Sequence, residues 1–205
     1  VNETGRVEAF SDGVLAIAIT LLVLELPVPK GQHGTLAHAL VEEWPSFAAY
    51  VTSFLVIGII WINHHQMFGL IARIDRQLMF LNLLLLLFVA LIPFSTALLA
   101  EYLTEGGSDA RTAAVVYSLG SLGTAAAFGV LYRRAARHPA LLADHVDAAA
   151  VRGSVGRFSV GLVGYLVTVV VALFSAPACL AVHFAMAVYY SFEQTRGMVR
   201  PRAEG

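Results

Sequence analysis

The stretch that decides the fold is Arg6-Val7-Glu8-Ala9-Phe10-Ser11-Asp12-Gly13, which runs without a break into an apolar segment ending at Leu26. About 20 apolar residues cross the ~30 Å hydrocarbon core of a bilayer. A basic residue, two acids, a serine and a glycine therefore stand at the mouth of one membrane helix. An acid at Asp12 would cost ~2.5–3.5 kcal/mol at mid-membrane. It costs less near the interface but still needs a partner. Polar chemistry gathered at one end of a membrane helix points to a protein that guides something polar through.

Composition agrees. Of 205 residues, 58% are hydrophobic and only 13% charged, with a mean hydropathy of +0.74. A globular chain is nearer 25% charged, so the chain reads as one polytopic, all-α membrane domain. Its net charge of −1 gives no basis for nucleic-acid binding. The single cysteine, Cys179, permits neither an intrachain disulfide nor a thiolate metal site. The opening stretch has neither the basic start nor the small-residue exit of a cleavable signal, so none is expected there.

Windows of spanning length fall at 7–26, 46–67, 77–100, 110–132, 154–174 and 176–195, which predicts six transmembrane helices in a single domain, 1–205. Thr35–Glu43 is amphipathic and is expected to extend the second span into the interface, with Trp44-Pro45 at the boundary. Pro93 predicts a kink in the third. Ser175-Ala176-Pro177 leaves room only for an antiparallel hairpin between the last two. The segment 138–152 has helical periodicity (Leu141, Leu142, His145, Val146, Ala149) and is expected to lie along the interface. Of the thirteen basic residues, all but Lys30 and Arg111 fall on one side: Arg6, Arg73, Arg76, Arg133, Arg134, Arg137, Arg152, Arg157, Arg196, Arg200 and Arg202. The positive-inside tendency then makes both termini cytoplasmic. Glu25, Glu42, Glu43, Glu101, Glu105 and Asp109 lie opposite; Glu25, which closes the first span, is the one not explained simply as a solvated loop acid.

Along the first span Gly13, Ile17, Thr20 or Leu21, and Leu24 share a face, apolar except for the Thr20 hydroxyl. Around an axis of several copies, Ile17 and Leu24 would make aliphatic rings that close a pore by dewetting, with hydroxyls between them. By periodicity alone the face reads more simply as packing surface. A second polar cluster comprises Trp61, Asn63, His64, His65 and Gln66, with Asn82 on the next span. These lie at the membrane depth of Arg6, Ser11 and Asp12, so Asp12 can meet a histidine, and Arg6 or Ser11 can meet Asn82 or Trp61. Adjacent histidines point ~100° apart on a helix, which argues against a shared metal ion. Glycines 120, 123, 129, 161 and 164 read as close-packing positions, and Tyr189, Tyr190 and Phe192 as interface anchors. Nucleophile-elbow, Walker, zincin and dinucleotide motifs are absent, so no enzyme is expected.

Arg6-x-x-x-Phe10-Ser11-Asp12-Gly13, continued by Ala16-Ile17-Ala18-Ile19-Thr20-Leu21-Leu22-Val23-Leu24-Glu25, resembles the first helix of the transmembrane-protein-175 family of potassium channels. Trp61-x-x-His64-His65 resembles its second helix, and six spans match the single-repeat bacterial form. The resemblance implies a homotetramer in the plasma membrane, its first helices lining a path for K⁺ and less favourably Na⁺, with no carbonyl filter and no cofactor. By position it makes Ile17 the hydrophobic constriction, Leu21 and Leu24 further lining and Thr20 the ion-binding hydroxyl. Arg6, Phe10, Ser11 and Asp12 would then anchor the helix through Trp61, His64 or His65, and Asn82.

Two other classes fit the residues. In a proton- or cation-coupled transporter Asp12 would relay protons with His64 or His65. Such transporters pair interrupted helices in two halves, and Pro93 has no mate. A membrane scaffold without transport is the third.

Overall fold

The computed structural model describes residues 3–29, 35–144 and 146–197. Lys30, His33, His145, Arg200 and Arg202 lie outside the described residues, as do the side chains of Arg157 and Arg196. Eight α-helices are described: α1 (Glu3–Leu21), α2 (Leu36–Glu42), α3 (Trp44–Phe68), α4 (Arg76–Ala90), α5 (Ile92–Tyr102), α6 (Gly107–Arg137), α7 (Ala148–Ala172) and α8 (Ala176–Gly197). Four segments, 4–25, 44–68, 76–102 and 107–137, are long and apolar enough to cross a membrane. Shorter apolar stretches occupy 161–172 in α7 and 176–192 in α8. The six windows read from the sequence fall on α1, α3, α4 with α5, α6, α7 and α8.

Proline sets two of the breaks. Pro45 sits in the first turn of α3 and has no N–H to offer the Val41 carbonyl. The chain therefore breaks at Glu43, and α2 is a separate short helix capped by Thr35, rather than the extension of the second span expected from its amphipathicity. Pro93 likewise divides the third span, ending α4 at Ala90 and starting α5 at Ile92. The Ile92 carbonyl is taken up locally, by Ser95 Oγ at 3.0 Å and Thr96 Oγ1 at 2.7 Å. Thr96 Oγ1 also reaches Ser53 Oγ on α3 at 2.7 Å, and Ser53 in turn meets the Tyr117 hydroxyl on α6 at 2.9 Å. Through Thr96 and Ser53 the start of α5 is stitched to two neighbouring helices.

The long helix α6 packs against α4, α5, α7 and α8, while α1 packs against α3 and α4. One buried cluster, including Leu15, Leu22, Leu85, Phe128 and Leu131, fills the half nearer the N-terminus. A second, around Leu99, Leu103, Tyr117 and Cys179, fills the other half. Helices α7 and α8 are joined by 173–175 and pack together as the expected hairpin.

The segment after α6 departs from its helical periodicity. Pro139–Leu141 forms a 3₁₀ turn, Leu142 bridges to Ile71, and α7 begins only at Ala148. Backbone pairing with the α3–α4 linker outcompetes the helix: the amides of Ala72 and Ala143 donate to Leu141 O and Leu70 O at 2.9 and 3.0 Å. Leu141 and Leu142 are buried by this clasp. Thr4 Oγ1 donates to Ala72 O at 3.1 Å, tying in the start of α1. Asp75, which caps α4 by accepting from the Leu78 amide at 2.7 Å, pairs through its other oxygen with Arg134. The Leu78 amide first, and Arg134 after it, hold the Asp75 carboxyl below its ordinary range.

Among the interior glycines, Gly123 is a genuine close-packing site: a Cβ there would meet the Phe88 ring at 2.3 Å. At Gly164 a Cβ would meet Met186 at 2.6 Å, whereas at Gly129 it would meet open space, so Gly129 is not the packing position its spacing suggested. Gly123→Leu should therefore lower stability in detergent by about 1–3 kcal/mol, and Gly129→Leu should change it far less, as read by thermal unfolding of the two variants side by side. Asp75→Ala should cost about 1 kcal/mol through the lost cap. Because the folded value is depressed, that contribution is complete above the unfolded carboxyl value near pH 4 and disappears as pH falls through the folded value, so wild type and variant should converge at low pH in the same assay.

Candidate functional site

The site is the first helix and what holds it. Ser11, Leu15 and Ala18 of α1 and Leu22 just beyond it, spaced by four, three and four, form the buried stripe of the first span. The opposite side is bare in the protomer: Ile17 is 60% and Leu24 74% exposed, and Gly13, Thr20 and Leu21 are exposed with them. Phe10, Ala16 and Val23 widen this bare band. Of residues in the spanning window of 4–25, 22% are buried, against 44% for 76–102 and for 107–137. The helix is the least covered of the four.

Its rotation is fixed by hydrogen bonds at one end. Ser11 Oγ donates to the Val7 carbonyl at 2.8 Å and accepts from Asn82 Nδ2 at 2.8 Å. Asn82 Oδ1 lies 2.9 Å from His64 Nε2, which orients the histidine to donate there. All three side chains are buried, and the His64 ring stacks on Phe68 at 4.3 Å. Two outer rungs flank this chain. Trp61 Nε1 donates to Asp12 Oδ1 at 3.0 Å, and His65 Nδ1 meets Glu8 Oε1 at 2.9 Å. Trp61 and His65 are themselves stacked, with ring centroids 6.1 Å apart.

Asp12 thus takes an indole rather than a histidine, and His64 rather than His65 joins Ser11 and Asn82. Asp12 and the two histidines lie on three separate hydrogen bonds. Arg6 and Phe10 stand outside this network, both exposed. Glu8 was not singled out from the sequence, although the signal existed: Glu8 and Asp12 are four apart on α1, as Trp61 and His65 are on α3, so antiparallel packing brings the pairs level. The Ser53–Thr96–Tyr117 cluster at the other half of the bundle carried no such signal.

At the bare face the Thr20 hydroxyl lies 2.9 Å from both Ala16 O and Ile17 O. Its proton is used within the helix, so its lone pairs point outward. Leu22–Glu25 tighten into a 3₁₀ turn, which brings Leu21 and Leu24, three apart, nearly into line. Titratable ligands do not converge here: among the described residues no group of three or more His, Cys, Asp or Glu could hold a metal ion.

Spanning helices whose few polar side chains are used to pin one of them define a polytopic membrane protein rather than a soluble fold. The model of the family described as endosomal/lysosomal potassium channel TMEM175 matches residues 6–93. A protein of Streptomyces collinus named as a potassium channel is 55% identical over 195 residues, covering 95% of this chain and 94% of its own. The crystal structure of a lysosomal potassium-selective channel TMEM175 homolog from Chamaesiphon minutus superposes with a TM-score of 0.84 at 41% identity, covering 94% of this chain and 98% of that one. The human endosomal/lysosomal proton channel TMEM175 is 41% identical over 99 residues, covering 44% of this chain but 20% of its own. The chain belongs to the TMEM175 family, a family of ion channels and not of enzymes.

Removing Asn82 leaves His64 Nε2 without its partner and Ser11 with the Val7 carbonyl alone, so Asn82→Ala should cost about 1–3 kcal/mol. Trp61→Phe loses one partly exposed bond and should cost nearer ~0.6 kcal/mol, the average for interhelical hydrogen bonds in membranes. Unfolding of the two variants in the same detergent checks the order.

Proposed function

We propose that this chain forms a passive, potassium-preferring cation channel in the plasma membrane. Four copies of a six-span subunit assemble with their α1 helices around a common axis, both termini facing the cytoplasm. The observation that carries this reading is the division of α1: one stripe is buried and pinned by buried hydrogen bonds, while the other side, with Ile17, Thr20, Leu21 and Leu24, is left uncovered by its own protomer. The names of the bacterial relatives supply potassium as the ion.

The mechanism follows from side-chain chemistry. A ring of Ile17 side chains is the constriction: aliphatic, it excludes water when narrow and needs no charge to close. One turn on, Thr20 presents hydroxyl oxygens whose protons are already donated inward, so each acts purely as an acceptor toward a cation. Such a ring replaces part of a hydration shell less strictly than carbonyls do, giving preference rather than tight selectivity. Leu21 and Leu24, aligned by the 3₁₀ turn, continue the apolar lining toward Glu25, which raises cation concentration at the mouth. Gly13 stands at the other end of the lining, about 16 Å from Leu24 at 1.5 Å per residue. Asp12, Ser11, Trp61, His64, His65 and Asn82 set the rotation that turns Ile17 inward; Arg6 and Phe10, exposed in the protomer, are left to meet a neighbouring subunit.

Planar-bilayer recording of purified protein under bi-ionic conditions tests this. Ile17→Asn should wet the constriction and raise basal current severalfold; an unchanged or smaller current would remove Ile17 from the path. Thr20→Val should reduce potassium-over-sodium preference about fivefold, the ratio that ~1 kcal/mol of lost coordination gives. Asp12→Ala should impair assembly on size-exclusion chromatography more than ion preference, and a well-assembled variant with altered preference would place Asp12 against the ion instead.

A further inference from the structure

At the end of the bundle remote from the termini, α3, the end of α5 and α8 enclose an apolar groove of about 480 Å³, reached by Trp44, Val51, Leu103, Leu180, Ala181 and Phe184. Along α3 it extends from Trp44 to Thr52, or ~12 Å at 1.5 Å per residue. This is close to the depth of one leaflet, half of the ~30 Å core. Trp44 is half exposed at the helix start, the position of an indole at headgroup level. Leu103 and Pro177 are shared with a second cavity of about 410 Å³, lined also by Thr104, Arg111 and Ser175. Here the lining, still mainly apolar, becomes more polar. Arg111, the one arginine or lysine described at this end, lines this cavity. The same loop and helix start carry Glu105 and Asp109, the latter accepting from Ser108.

We propose that the two cavities together hold one zwitterionic, amine-bearing phospholipid of the leaflet facing away from the termini. One acyl chain lies in the groove along α3 and α8, and the phosphate meets Arg111. Charge complementarity selects this headgroup: the Arg111 guanidinium in the cavity lining matches the phosphate, and Glu105 and Asp109, exposed on the adjoining loop and helix start outside the lining, make a negative rim that matches an ammonium and disfavours a wholly anionic lipid. The site lies at the opposite end from the hydrogen bonds that pin α1, and it does not depend on conduction.

The test is lipid retention by the full-length protein. Protein delipidated in detergent is exchanged into mixed phosphatidylethanolamine and phosphatidylglycerol micelles and read by native mass spectrometry. Wild type should retain phosphatidylethanolamine in preference to phosphatidylglycerol. Ala181→Trp, which fills the groove, should reduce bound lipid about tenfold by steric exclusion. Arg111→Gln should weaken retention about fivefold while leaving the groove open. Equal retention in wild type and both variants, or a preference for phosphatidylglycerol, would overturn the proposal. So would spontaneous inter-subunit disulfide formation by Phe184→Cys, because the groove would then be covered by a second copy of the chain.

Discussion

The constraint on which the structure depends is that polar groups inside a bilayer must find partners in the protein. Ser11, Asn82 and His64 are buried and bonded in sequence, so α1 cannot rotate without leaving at least one of them unsatisfied. An unsatisfied buried donor or acceptor costs about 1–3 kcal/mol. That penalty is larger than the packing preference among the leucines, isoleucines and valines around α1, which differ little in apolar character from one another and from lipid. Hydrocarbon contacts hold the helix against the bundle; hydrogen bonds decide which side of it faces inward. The flanking pairs, Glu8 with His65 and Asp12 with Trp61, repeat one turn apart and set the level as well as the rotation.

The same rule accounts for two other parts of the bundle. Just past the kink the Ser95 and Thr96 hydroxyls bond back to the Ile92 carbonyl within α5, and Thr96 extends the chain of contacts to Ser53 and Tyr117. Near the termini, two linkers that would otherwise carry free backbone groups pair with one another across Leu70–Arg73 and Leu141–Ala143. Asp75 and Arg134 lock the clasp, and Thr4 brings the start of α1 into it. The first helix is therefore held at its foot and along one stripe. Among the described residues nothing of its own subunit covers the remaining face, which is why a pathway shared by several copies is the economical reading of an apolar surface this broad.

What was legible in the sequence followed from length, periodicity and proline. Apolar windows located the helices, and Pro93 marked a break because a missing N–H acts wherever the chain goes; Pro45 acts the same way, but the amphipathic pattern of 35–43 hid the break it makes. Local pattern failed where long-range pairing competed with it. The stretch 138–152 has a helical period, but the Leu141 and Leu142 backbone finds partners in the α3–α4 linker, a contact between segments some seventy residues apart. Gly129 shares its spacing with Gly123, and only the arrival of Phe88 makes one of them a packing site.

The sequence by itself determined the class of molecule and the position of its helices, because hydropathy and backbone chemistry are properties of local residues. It also placed Asp12, Ser11, Trp61, the histidines and Asn82 at a common depth. Depth does not choose partners. Tertiary structure alone gave Asp12 to Trp61, Asn82 to Ser11 and His64, and Glu8 to His65, because hydrogen bonds require an approach within about 3 Å and a fixed rotation of each helix. Only packing can set those.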